Sequence, residues 1–225
     1  MKRYLIIIFI FNILCSNIQR SNSSNRIRYD FTNYDSNTSE VNNFRDEDEL
    51  LNFIESIHES SLIPGLSIAV VKNNNIVWEK QFGFANIDSN ILVDENTMFI
   101  LSSISKTVTA TALMMLYEQN LFMLDDDIDN YLPFDVNHPD YPLTPITFKM
   151  LLSHTSGIKD NWNVMPYYDG DSQIELNNYL SQYLIPAGEL YNGNSNFTNS
   201  MPGTNYNYSN IGAALIGLLV EEISN

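Results

Sequence analysis

The chain holds one cysteine, Cys15, among 225 residues, and a lone thiol excludes an internal disulfide framework. Stability must come from packing, for which 44% hydrophobic and 12% aromatic residues are enough. Basic residues are also scarce: 11 Lys and Arg stand against 27 Asp and Glu, a net charge of −16. Phosphate recognition needs clustered Lys and Arg, so this balance argues against a nucleic-acid partner and gives no attraction to anionic lipid. Much of the acid falls in runs, Asp46 to Glu49 and Asp125 to Asp127, that read as solvated surface. No internal repeat is visible. An apolar run long enough to span a bilayer comfortably is missing too, because the stretch from Leu5 to Leu14 falls well short of the roughly 20 residues required.

That stretch follows Lys2 and Arg3, the layout of a secretory signal peptide. The expected organisation is a signal peptide at 1–16, an Asn- and Ser-rich flexible leader at 17–45 and a folded domain at 46–225, in a secreted protein. An uncleaved anchor is the rival reading. Asn12 and Leu14 before Cys15 do not suit a lipoprotein motif. Asn-x-Ser/Thr sequons at Asn22, Asn37, Asn196 and Asn207 become glycan acceptors if the secretory route is eukaryotic. A glycan on Asn207 would crowd its neighbour Tyr208.

In the folded part, Leu50, Leu51, Ile54 and Ile57 recur at helical spacing from Asp46 to Ser60, behind an acidic start. Pro64-Gly65 ends that helix. A hairpin follows, with strand Leu66 to Val71, a turn at Asn73-Asn74-Asn75 and a return strand from Ile76 to Lys80 that runs on past Phe82 and Phe84. Ser103 to Gln119 predicts a helix apolar around much of its circumference, hence central and buried, with Asn120 as a left-handed cap. Ile146 to Leu152 predicts a short helix, 153–209 a largely loop-rich aromatic region, and Asn210 to Ile223 a final helix.

Ser103 and Lys106, three residues apart, share a helical face. A serine needs an adjacent base to act as a nucleophile, and a lysine can serve when its surroundings favour the neutral amine. Alone the pair also suits an ordinary helix start with a solvated lysine. Around it stand Pro64-Gly65-Leu66, the stretch Ser102 to Thr111, Leu151-Leu152-Ser153-His154-Thr155-Ser156-Gly157, and Pro202-Gly203-Thr204 leading to Tyr208-Ser209-Asn210. In content and order these resemble the serine beta-lactamase and penicillin-binding-protein superfamily, closest to the class C beta-lactamase-like branch, over about residues 50–225.

The resemblance implies an α+β fold: a beta-lactamase-like domain with a helical subdomain and an antiparallel sheet that is incomplete at the C-terminus. It implies a serine hydrolase acting through an acyl-enzyme on a small-molecule or peptide amide, lactam or ester. Ser103 would be the nucleophile, Lys106 its base or organiser, Tyr208 the proton shuttle, and Asn210 a contact to substrate or Lys106. No metal and no cofactor is required. The family's third motif, Lys or His followed by Ser or Thr and Gly, lies downstream of the tyrosine and is not found in these residues. His154-Thr155-Ser156-Gly157 precedes Tyr208 and matches a different, structural stretch. The alternative is therefore a truncated, catalytically inactive scaffold or binding protein, and oligomeric state stays open.

Three further features have plain structural readings. His154 reads as a histidine at a helix end bonded to backbone. Asp125 to Asp129 lacks the glycine and the bidentate acid of a calcium loop. Trp162, Tyr167, Tyr168, Tyr183 and Tyr191 suit either a cleft lining or packing beneath a long loop.

Overall fold

A computed structural model describes residues 46–167 and 170–224. The expected signal peptide and leader, with Cys15, Asn22 and Asn37, lie outside the described residues, as does Tyr168. The chain divides into two units, one ending at Leu101 and the other beginning at Ser102.

In the first unit, helix α1 (Glu47–Ser61) starts where the Asp46 carboxylate accepts from the Glu49 N–H at 2.9 Å, with three acids in its first turn. It stops at Leu62, which takes the left-handed conformation two residues before Pro64. Strands β1 (Gly65–Lys72) and β2 (Asn75–Asn86) pair antiparallel. Asn73 and Asn74, both at positive φ (52° and 61°), make the two-residue turn whose twist matches the strands. The sequence reading assigned Asn75 to the turn, but it already pairs with Lys72. A two-residue strand β3 (Ile91–Leu92), not anticipated, adds to β2 and gives the order β1-β2-β3.

The second unit is helical. Helix α2 (Ser105–Glu118) follows a single 3₁₀ turn at Ser102–Ile104. It closes in a Schellman motif, with Asn120 at φ 58° donating to Tyr117 O and Leu121 donating to Leu116 O. Contrary to the expectation of a central, buried helix, its buried residues are Leu113 and Leu116, while Val108 and Met115 are more than half exposed. Helix α3 (Phe148–Leu152) is capped by Thr147. Helices α4 (Leu176–Leu184) and α5 (Gly193–Asn196) occupy the region read as loop. Helix α6 (Asn210–Ser224) packs against α2, α3 and α4 and buries Ile211, Leu215, Ile216, Leu218 and Leu219 in their shared core. Phe122 stacks on Phe148 in that core, with ring centroids 4.0 Å apart. The helices and the three-stranded antiparallel sheet together give the α+β class expected.

Candidate active site

Ser103 sits in the 3₁₀ turn just ahead of α2, so the next helical turn carries Lys106 above it. The Lys106 Nζ donates to Ser103 Oγ at 3.3 Å. From the far side of the sequence, 105 residues on, Tyr208 Oη donates to the same oxygen at 2.9 Å. Lys106 Nζ also lies 5.2 Å from the centre of the Tyr208 ring. Burial pushes the Tyr208 phenol up, but its hydrogen bonds with Lys106 and Ser103 and the lysine charge outweigh this, and its pKa falls below 10.0. Ser103 and Tyr208 are both open to solvent. Three of the four residues singled out from the sequence therefore meet around one hydroxyl.

Asn210, the fourth, opens α6 and is turned toward a residue the sequence reading missed. Its Nδ2 donates to Asp160 Oδ2 at 2.7 Å, which leaves its Oδ1 and the second Nδ2 hydrogen for other partners. Asp160 Oδ1 also accepts from the Asn210 and Ile211 N–H groups and from the Ser209 hydroxyl. Ser209 in turn caps α6 through the Gly212 N–H. Nothing in the sequence signals Asp160, an acid 50 residues from its partner with no periodic or motif relation to it.

His154 supports the other side of the tyrosine. At φ 56° it turns the chain after α3, its carbonyl accepts from the Asn207 N–H, and its Nδ1 accepts from the Ser209 N–H. Its ring lies 4.7 Å from that of Tyr208. Burial, followed by the Lys106 charge, lowers its pKa, and the accepted bond at Nδ1 assigns the neutral ring with its proton on Nε2. The structural reading of this histidine fits these bonds.

A cavity of about 190 Å³ flanks Lys106, walled by Leu151, His154, Ala213 and Ile216 among others. A larger one, about 480 Å³ by Tyr131 and Ile223, holds none of the residues around Ser103. The acidic run serves the backbone: Asp126 accepts from the Met123 N–H, Asp127 caps the next turn and Asp129 accepts from Val136 N–H. Among the aromatics, Tyr183 is fully buried and Tyr191 packs against the core, whereas Trp162 and Tyr167 are exposed. The sequon residue Asn196 is fully buried, and Asn207 is half-buried with its Nδ2 on Ile158 O at 3.4 Å.

Similarity to known proteins points the same way. Protein flp of Staphylococcus aureus (strain MRSA252) is 30% identical over 178 residues, which is 76% of this chain and 33% of flp. The chain thus spans about a third of the length of the curated relatives it matches. The fold resembles that of a class C beta-lactamase solved in complex with cefoxitin (TM-score 0.58, 24% identity, 79% of this chain and 44% of that one). It is equally similar to a D-amino acid amidase from Ochrobactrum anthropi SV3 complexed with L-phenylalanine amide (TM-score 0.59, 23% identity, 78% and 47%). The profile of the beta-lactamase family matches residues 50–225, nearly the whole described chain. By that match, this chain belongs to the beta-lactamase family.

Proposed function

We propose that the protein is a secreted serine hydrolase that cleaves a small-molecule or peptide amide, lactam or ester through an acyl-enzyme on Ser103. The observation that carries this reading is the convergence of Tyr208 Oη and Lys106 Nζ on Ser103 Oγ, at 2.9 and 3.3 Å, from opposite ends of the unit. A serine hydroxyl becomes a nucleophile when a positioned base takes its proton. Tyr208 can supply that base. Once its phenol ionises beside the Lys106 charge, the bond to Ser103 reverses and the serine donates.

Ser103 Oγ bonds to the acyl carbon as its proton passes to the Tyr208 phenolate, which the Lys106 charge holds as an anion until that transfer. Collapse of the tetrahedral species expels the amine or alcohol, which takes the proton back from Tyr208. Water then releases the acid by the same route. The position of Ser103 before α2 aims the helix N-terminus at the developing oxyanion. Secretion belongs to the same proposal and rests on Lys2, Arg3 and the apolar stretch that follows.

An activated ester or a fluorescent beta-lactam tests this reading by intact mass. Wild-type protein should gain one acyl group, located on Ser103, and Ser103→Ala should gain none. Well-folded wild-type protein that stays unlabelled would overturn the enzyme reading in favour of a binding protein.

A further inference from the structure

We propose that Asp160 is a positioning residue for this site: its carboxylate gathers the 209–211 segment and thereby holds Tyr208 on Ser103. The proposal rests on the catalytic reading of Ser103 and Tyr208 and adds the device that aims the tyrosine.

Four hydrogen bonds converge on the two Asp160 oxygens, all from the residues just after Tyr208: Ser209 Oγ at 3.1 Å, Asn210 N at 2.8 Å, Ile211 N at 3.1 Å and Asn210 Nδ2 at 2.7 Å. A helix leaves its first N–H groups without internal partners. Here Asp160 takes those of Asn210 and Ile211, and the Ser209 hydroxyl takes that of Gly212. The negative carboxylate also sits where the helix dipole favours it. The start of α6 is thus tied to a side chain from outside the helix, and Tyr208 is the residue that leads into it.

Asp160 is itself anchored. On one side the Lys159 carbonyl accepts from the buried Tyr183 hydroxyl at 2.7 Å, and the Lys159 N–H donates to Asn196 O at 2.8 Å. On the other, the Asn161 N–H donates to Tyr183 Oη at 2.7 Å, and Asn161 Nδ2 donates to Asn196 Oδ1 at 3.0 Å. Tyr183 and Asn196 are fully buried. The carboxylate therefore projects from a backbone pinned to the core. Together with His154, which holds Asn207 and Ser209, it leaves Tyr208 little freedom to leave Ser103.

Asp160→Asn tests the role with little change in shape. It keeps one acceptor oxygen and removes the charge, and its amide sets a donor against Asn210 Nδ2 in the orientation that side chain holds here. Tyr208 is followed by NMR titration of ¹³C-tyrosine-labelled protein, assigned with Tyr208→Phe, a readout that needs no turnover. The charged and titratable groups facing this phenol among the described residues are Lys106, His154 and Asp160. If Asp160 acted only as a nearby negative charge, removing it would lower the Tyr208 pKa. If it positions the ring, removal lets the phenol leave Lys106 and Ser103, and the pKa rises.

The expected result is a rise, with labelling of Ser103 slowed at least tenfold and far-UV circular dichroism unchanged. Pairing Asp160→Asn with Asn210→Asp restores a donor facing an acceptor and should return the Tyr208 titration toward its wild-type position. A Tyr208 pKa that falls or stays put in Asp160→Asn overturns the proposal. A rise in protein whose Ser103 is never acylated upholds the positioning of Tyr208 while refuting the hydrolase reading.

Discussion

Asn196→Ala probes the buried network beneath the site most directly. Asn196 is fully buried and donates through Nδ2 to Tyr183 O at 2.8 Å and Leu190 O at 2.9 Å, while its Oδ1 accepts from Asn161 Nδ2 at 3.0 Å. Alanine leaves those three partners without these bonds, in a place water does not readily reach. A buried polar group deprived of its partner costs about 1–3 kcal/mol, and carbonyls with a second lone pair fall at the low end. The expected loss is about 4 kcal/mol, a large share of the roughly 5–15 kcal/mol that holds a domain folded. Urea unfolding followed by circular dichroism measures it as a fall in the midpoint at constant slope. Asn161→Ala, which removes only the third of these bonds together with the 3.3 Å bond from the Asn163 N–H, should cost clearly less. An Asn196→Ala loss below about 1 kcal/mol would refute the reasoning, because buried unpaired groups could not then have been created.

The Tyr208 pKa lies below its ordinary 10.0, so the phenolate fraction, and with it the rate of Ser103 labelling, should rise with pH through a midpoint below that value. Tyr208→Phe should cut the rate by about 10²–10⁴-fold and abolish the rise, and a pH profile unaltered by the substitution would exclude Tyr208 as the base. Gly157→Ala should destabilise more than Gly170→Ala. Both glycines have positive φ (82° and 98°), but a Cβ on Gly157 would lie 2.9 Å from His138 Cδ2 whereas one on Gly170 meets nothing within 4 Å among the described residues. Melting temperatures compare them directly, with about 1 kcal/mol expected from backbone strain alone. Equal losses would mean that the His138 contact relaxes freely.

Local signals carried much of the fold. The acids before α1 and its 3.6-residue periodicity, the paired asparagines of the hairpin turn, the asparagine that closes α2 and the nearly continuous apolar run of α6 all act within a few residues. Each was legible for that reason. Helix α4 was not. Leu176, Leu180 and Leu184 are spaced for one helical face, but they are diluted by Asn, Ser, Gln and Tyr, residues equally at home in loops. The reading of α2 as a central, buried helix failed for a related reason. Composition reports how apolar a helix is, not how much of it the rest of the unit covers.

The site divides along the same line. Sequence alone determined that Ser103 and Lys106 share a helical face, because a spacing of three residues and the pitch of a helix leave no other arrangement. By resemblance to a family it also named Tyr208 and Asn210. That Tyr208 reaches Ser103 at all, that Asn210 turns to Asp160, and that Asp160 is pinned by Tyr183 and Asn196 were decided by tertiary structure alone. These contacts join residues tens of positions apart through hydrogen bonds to backbone and side chain. Such bonds depend on where packing brings the chain back to itself, and no local period or spacing records that.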